Sequence, residues 1–190
     1  TLPIVAYQFN PLDNVGVFSN DASLLIPVSA LSVNPTSEAG ASYLVMGWPQ
    51  TIATTTDPLT NFGADLRAFL TIVGTREATD VQVTLTTDII PDAAGKIPAG
   101  KKGETLLFKL EPYDVLNLET GGFNADFSGS RITATKPVVA FSGSEASDAP
   151  DFPDLTTRRC CADHLEEQLF PTTTLGTTFV AVLTAGRTAA

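Results

Sequence analysis

The sequence of this chain contains the same series of segments twice. Residues 3–7 return as residues 137–141, and each copy is a proline followed by two β-branched residues, an alanine and an aromatic residue. Two further pairs follow downstream in the same order, at offsets of 144 and 136 residues against 134 for the first pair. Repetition on this scale constrains the architecture more than any local pattern does. It predicts an internal repeat over residues 3–48 and 137–184.

Composition limits the classes of function. The chain has 190 residues, 43% of them hydrophobic and only 17% charged, so it can bury a sizeable core. A net charge of −10 argues against a nucleic-acid partner, because phosphate backbones are bound by clustered lysine and arginine. No apolar run approaches the roughly 20 residues of a membrane helix. We expect one β-rich region over residues 1–190, as a piece of a longer domain.

Short β-branched runs separated by Pro, Gly, Asn and Asp dominate the sequence and are typical of an all-β chain. Residues 67–74 and 80–87 flank a connection of hairpin length, so we expect these two runs to pair as a hairpin. Residues 89–103 are predicted to be an exposed loop. The predicted strands are residues 2–9, 22–27, 42–48, 66–74, 80–87, 105–110, 114–119, 130–134, 137–142 and 178–184.

One segment, residues 162–169, is predicted to be a short helix. Asp163 can cap the first turn and Glu166, three residues on, completes a capping box. His164 and Glu167 would then face the same side of the helix. Together with Asp163 they are candidate metal ligands, although a closed zinc site needs four ligands in a recognised spacing.

The two cysteines, Cys160 and Cys161, are adjacent. They can form a strained vicinal disulfide, pair with cysteines outside this segment, or remain free thiols. Sequence alone leaves all three alternatives open.

An acidic, proline-rich segment precedes the cysteines and belongs to the second copy only. A variable insertion on a repeated scaffold is where binding specificity tends to reside, so this segment is the candidate binding site. Its charged residues are Asp148, Asp151, Asp154, Arg158 and Arg159.

We expect no cofactor, with zinc near His164 and calcium as the alternatives. Residues 124–130 resemble the opening of a calcium-binding loop, but Thr135 occupies the position that needs a bidentate glutamate. His164 is also the single histidine of the chain, and no serine lies in a nucleophile-elbow pattern. We therefore expect that the protein is not an enzyme.

Several blocks resemble a known family. Residues 3–12 and 20–27, then residues 127–132 before 137–143, and finally Asp163-His164-Leu165-Glu166-Glu167-Gln168-Leu169 are similar to the N-terminal domain family of IgG Fc-binding proteins. The resemblance implies a secreted or surface-exposed, β-rich protein, with many bacterial members. It supplies no catalytic residues.

We therefore expect an all-β antiparallel fold, either a β-sandwich or propeller-like repeated sheet units, with one short helix. The leading functional hypothesis is a non-enzymatic extracellular or cell-surface binding or adhesion module of a bacterium that recognises protein or glycan. The alternatives are a structural subunit that assembles with copies of itself or with other partners through exposed strand edges, and a metal-dependent hydrolase centred on Asp163, His164 and Glu167.

Overall fold

A computed structural model describes residues 3–11, 20–32, 40–53, 65–148, 152–158 and 162–181. These residues form β-strands with two short 3₁₀ helices, η1 (Val28–Ala30) and η2 (Thr172–Thr174). The strands are β1 (Ala6–Pro11), β2 (Asn20–Leu25), β3 (Ala41–Leu44), β4 (Thr51–Ile52), β5 (Asp65–Leu66), β6 (Ala68–Gly74), β7 (Thr79–Thr84), β8 (Thr105–Leu110), β9 (Val115–Glu119), β10 (Arg131–Ala134), β11 (Val138–Ser147) and β12 (Asp163–Gln168). The all-β prediction is confirmed.

Two four-stranded antiparallel sheets form the body of the fold. Their strand orders are β3-β10-β7-β8 and β12-β11-β6-β9. Strands β1 and β2 form a separate antiparallel hairpin, and β4 pairs with β5. Of the two architectures expected from the sequence, the β-sandwich is the one observed.

The core lies between the two sheets. Strand β6 buries Ala68, Leu70 and Ile72 and leaves the alternate side chains half-buried, as the period of two in a strand requires. These residues belong to one buried cluster with members from both sheets. The Tyr43 hydroxyl donates a buried 2.6 Å hydrogen bond to the Val138 carbonyl and so connects β3 to β11. Burial raises the pKa of the Tyr43 phenol well above its usual value, so the hydroxyl remains a donor.

The predicted helix over residues 162–169 is wrong, because this segment forms strand β12. It pairs antiparallel with β11, with Phe141 opposite Gln168. A bulge between Ser144 and Ser147 interrupts the ladder. The sheet edge supplies backbone hydrogen bonds that outweigh the local capping pattern, which is a weak preference for a segment of this length.

The predicted hairpin between residues 67–74 and 80–87 is also wrong. Strand β6 pairs on its two sides with β11 and β9, and β7 pairs with β10 and β8. Since both edges of each strand are occupied, the turn between β6 and β7 crosses from one sheet to the other.

Other sequence predictions have mixed outcomes. Strand β8 has the predicted bounds, and most other strands lie within a few residues of theirs. Residues 178–181 are not a strand, and the rest of that predicted element lies outside the described residues. In the predicted loop 89–103, most residues are exposed, but Ile89 is buried and bridges both Gly100 and Thr120.

The two copies of the repeated proline-led strand have different neighbours. Strand β11 lies inside a four-stranded sheet, whereas β1 lies in the two-stranded hairpin. Among the described strands, the two copies therefore occupy different places in their sheets. The internal repeat over residues 3–48 and 137–184 stays a prediction.

Substitution of Gly143 tests the packing of β11 against its neighbours. An alanine Cβ at this position would meet the Leu165 carbonyl oxygen and lie 2.6 Å from Phe69 Cζ. We expect Gly143→Ala to lower the free energy of unfolding by about 1–3 kcal/mol, because the backbone of β12 must shift to make room. Thermal unfolding followed by circular dichroism measures the effect.

Gly122→Ala is the matched control, since nothing lies within 4 Å of its added Cβ. Equal melting temperatures for the two variants would contradict the packing described for β11.

Candidate binding surface

An open, polar groove of about 370 Å³ lies at one end of the sandwich. Its lining comes from three segments that meet there: the residues after β7, the turn before β8, and the connection from β9 to β10. The lining residues are Thr86, Thr87, Asp88, Lys102, Asn124, Ala125 and Asp126.

Local hydrogen bonds fix the shape of the groove. Asn124 adopts a left-handed backbone conformation with φ of 60°, which asparagine tolerates better than most residues. Asp126 Oδ1 accepts a 2.9 Å hydrogen bond from the Ser128 backbone N–H. The hydroxyls of Thr86 and Ser130 lie 2.7 Å apart. Contacts within the protein therefore hold the groove in this shape.

The groove carries charges of both signs. Lys101 Nζ donates to Asp88 Oδ2 at 2.8 Å, and the Lys102 backbone N–H donates to Asp88 Oδ1 at 2.9 Å. The hydrogen bond from Lys101, followed by that from Lys102, lowers the pKa of Asp88. Asp88 is therefore ionised at neutral pH and forms an ion pair with the ammonium group of Lys101.

The acidic segment predicted to bind a ligand is fastened to the sandwich by a buried ion pair. Arg158 Nε donates to Asp148 Oδ2 at 2.7 Å, and the two side chains are only 9% and 5% exposed. Thr51 Oγ1 donates to the same oxygen at 2.7 Å, and Trp48 Nε1 donates to the Asp148 backbone oxygen at 2.6 Å. Of the predicted binding residues, Asp148 and Arg158 thus hold the segment in place.

The rest of this segment lies at the surface. Asp154 is exposed, and the hydroxyl and N–H of Thr156 lower the pKa of its carboxyl group. Asn124 Nδ2 donates a 2.9 Å hydrogen bond to the Phe152 carbonyl, so the segment adjoins the groove. Asp151 and Arg159 lie outside the described residues, and so do Cys160 and Cys161.

The three candidate metal ligands do not share one face. Because residues 163–168 form a strand, His164 and Glu167 project from opposite faces of β12. His164 is 7% exposed and stacks on Phe69 with 6.3 Å between ring centroids. Its Nδ1 lies 3.3 Å from the Glu145 carbonyl oxygen. Within the described part of the chain, no group of three or more His, Cys, Asp or Glu side chains is placed to hold a metal ion.

In the calcium-like segment, several side-chain oxygens form hydrogen bonds within the protein. Ser128 Oγ accepts from the Gly47 N–H at 2.9 Å, and Asp126 bonds to the Ser128 N–H as described above. Gly129 has a φ of 87°, which suits a glycine in a turn. These contacts are typical of a turn between strands. Calcium binding stays an untested alternative.

A buried polar contact joins β2 to β12 and was not predicted from the sequence. Ser23 Oγ accepts a 2.7 Å hydrogen bond from the Gln168 N–H, and Asp21 accepts one from the Glu166 N–H. Gln168 Oε1 in turn accepts a 2.7 Å bond from the Ile26 N–H. Ser23 and Gln168 are almost fully buried. These residues therefore fasten the N-terminal hairpin to the edge of the sandwich.

The signal for this contact was present in the sequence blocks that carry the family resemblance. Asp21, Ser23 and Ile26 lie in one of those blocks, and Glu166 and Gln168 lie in another. The contact therefore joins two of the blocks that carry the resemblance.

The described residues thus form an antiparallel sandwich with an open polar groove at one end. The chain belongs to the IgGFc binding protein family, whose model matches residues 21–190. It is similar to the IgGFc-binding protein of Homo sapiens, with 30% identity over 161 residues. The match covers 84% of this chain and about 2% of the length of that relative.

No solved structure matches the chain. In the described residues, no helix has the length and apolar character required to cross a membrane.

Breaking the buried ion pair tests how the acidic segment is held. We expect Arg158→Met to destabilise the fold by about 3–5 kcal/mol, because the Asp148 carboxylate is left buried without its cation. The double variant Asp148→Asn with Arg158→Met should lose less stability than Arg158→Met alone, because no uncompensated charge remains buried. Urea unfolding of the three proteins provides the measurement.

Lys101→Met is the control for this experiment, because it removes an ion pair whose side chains are 72% and 56% exposed. Lys101→Met should lower the stability far less than Arg158→Met, because exposed ion pairs contribute little to stability. A cost for Arg158→Met no larger than for the control would refute the role assigned to the buried pair.

Glu167 gives the fold a predictable pH dependence. Partial burial, followed by the nearby Asp21 carboxylate, raises the pKa of Glu167 above its ordinary value of 4.5. Below pH 4.5 the carboxyl group of Glu167 is protonated in both the folded and the unfolded state, so it does not change the free energy of unfolding. As the pH rises through the raised pKa, ionisation costs the folded state more than the unfolded state, so stability is lost.

Glu167→Gln should therefore raise the melting temperature at pH 7 and leave it nearly unchanged at pH 4. Glu77→Gln, at an exposed turn position, provides the control. A gain of equal size at both pH values would be evidence against this electrostatic origin.

Proposed function

We propose that this chain is a non-enzymatic, extracellular or cell-surface binding module that recognises a protein ligand. The observation that carries the proposal is the preformed polar groove at the loop end of the sandwich. Family membership supports it, because the similar human protein is named for binding the Fc region of IgG.

The chemistry of the groove suits a polar segment of a partner protein. Its lining offers hydroxyls, an amide, two carboxylates and one ammonium group. Such groups pair with the backbone and polar side chains of a ligand rather than with an apolar surface. A glycan could use the same hydrogen-bonding groups and is the alternative ligand.

The fixed loop end suits the binding of a ligand. The groove and the acidic segment are held by the contacts described above, so little conformational entropy is lost when a ligand binds. The hydrolase alternative has less support, because its three candidate residues lie on opposite faces of β12.

Binding to immobilised human IgG Fc tests the proposal directly. We expect saturable binding of the full chain by surface plasmon resonance. Lys102→Glu should weaken the affinity at least tenfold, because it replaces the ammonium group of the groove with a carboxylate. Lys96→Glu changes the net charge equally at an exposed position outside the groove and should stay within twofold of the unmodified chain.

Two outcomes would contradict this proposal. Absence of Fc binding together with groove-dependent binding on a glycan array would replace the protein ligand with a glycan. Equal loss of Fc binding in both lysine variants would show that net charge, and not the groove, governs the interaction.

A further inference from the structure

A stripe of exposed apolar side chains follows the outer face of β3 and the residues just after it. Leu44, Met46 and Trp48 alternate with the buried Tyr43 and Val45, as the period of two in an extended chain requires. The three outward side chains are 45%, 79% and 37% exposed. Large apolar side chains that lie exposed beside one another, rather than singly, indicate a contact surface. We call Leu44, Met46 and Trp48 the apolar stripe.

The apolar stripe adjoins the groove. Gly47 lies within the stripe, and a Cβ added to it would lie 3.1 Å from Asp126 Oδ1. Two residues beyond the stripe, the Gln50 N–H donates a 2.9 Å hydrogen bond to the Ala125 carbonyl. Asp126 and Ala125 both line the groove. The segment that carries the stripe therefore also borders the groove.

Trp48 connects the apolar stripe to the acidic segment as well. Its Nε1 donates a 2.6 Å hydrogen bond to the backbone oxygen of Asp148, the residue that forms the buried ion pair with Arg158. The indole ring is thus held by a fixed part of the sandwich while part of it stays exposed. A side chain that is already held loses little conformational entropy when a partner covers it.

The groove alone is smaller than the footprint of a protein ligand. A stable protein–protein interface involves about 20–30 residues on each side, whereas seven residues line the groove. The contact with a protein must therefore extend onto the neighbouring surface. Protein interfaces have an apolar centre enriched in tryptophan and methionine, and a polar rim around it. The apolar stripe and the groove provide these two parts side by side.

Arg131 adds a positive charge beside the apolar stripe. It is exposed and lies opposite Leu44 in the ladder between β10 and β3. A guanidinium group pairs well with a carboxylate of a partner protein. Two copies of a chain with a net charge of −10 repel each other, so these charges favour a different protein as the occupant.

We propose that the apolar stripe is the centre of the contact with the protein ligand and that the groove binds polar groups at its rim. This inference rests on the proposed function, because it assigns further surface to the same ligand. The occupant is a folded protein that presents an apolar patch next to a carboxylate. A glycan fits this surface poorly, since its hydroxyls would lose water against Leu44 and Met46 without gaining hydrogen bonds.

Substitution of Met46 tests the stripe, with immobilised human IgG Fc as the probe. We expect Met46→Asp to weaken the affinity at least tenfold, because it places a carboxylate in the centre of the contact. Leu107→Asp introduces the same charge at a 72% exposed position on β8, so it is the matched control and should stay within twofold. Both variants should melt at the temperature of the unmodified chain, since both positions are exposed.

Oxidation of Met46 provides a measurement that needs no substitution. Met46 is the single methionine of the chain, so hydrogen peroxide can form methionine sulfoxide at one position only. We expect saturating Fc to slow the formation of this sulfoxide severalfold, because the bound ligand covers the thioether. Mass spectrometry of the peptide that contains Met46 measures the rate with and without Fc.

Three results would overturn the proposal. They are equal Fc affinities of the Met46→Asp variant and the unmodified chain, an unchanged oxidation rate of Met46 in the presence of bound Fc, and self-association of the chain that Met46→Asp abolishes. The last result would identify a second copy as the occupant.

The two lysine variants separate this proposal from the proposed function. If Lys102→Glu weakens Fc binding and Met46→Asp does not, the proposed function stands and the role of the stripe is refuted. Absence of Fc binding by the unmodified chain would overturn both.

Discussion

The antiparallel ladder between β6 and β11 is the constraint on which the rest of the structure depends. It runs through consecutive pairs from Val138 opposite Gly74 to Ser144 opposite Ala68. Each strand then carries one further strand on its other side, and β12 in turn carries the N-terminal hairpin. Both edges of β6 and of β11 are occupied by neighbouring strands. The chain segments from β6 to β7 and from β10 to β11 therefore cross to the other sheet, whereas the segment from β11 to β12 stays within one sheet. The sandwich topology follows from this occupancy.

Much of the fold was predictable, because alternation of apolar residues identifies a strand and its buried face. Strand β7 is an example, because Val81 and Val83 are buried on one face and Gln82 between them is exposed. Alternation does not identify the neighbour of a strand, which is why the hairpin between β6 and β7 was predicted wrongly. Strand pairing depends on contacts between residues that are far apart in the sequence, and a local pattern does not show which residues these are.

The error at residues 162–169 has a more specific cause. Polar residues dominate this segment, so hydrophobic alternation is absent and the capping pattern decided the prediction. The repeat contained the better signal: with an offset of 144, the predicted strand at residues 22–27 corresponds to residues 166–171. Extending the repeat to this segment would have predicted a strand.

The binding surface was harder to predict than the fold. Its groove is assembled from three segments that only the tertiary structure brings together. Asp148 and Arg158 were chosen for their charge, but sequence does not show whether a charged residue finds its partner inside the protein. The candidate binding residues lie in loops that are far apart in the sequence, so the sequence does not show that they are close together in space.

The ion pair between Asp148 and Arg158 has a consequence for how this surface can evolve. It fixes the two ends of the acidic segment to the sandwich, so changes between them leave the core untouched. Doubling the length of such a loop costs only about 0.6 kcal/mol in closure entropy. The sandwich can thus accept new loop sequences, of natural or engineered origin, as a scaffold for displaying peptides.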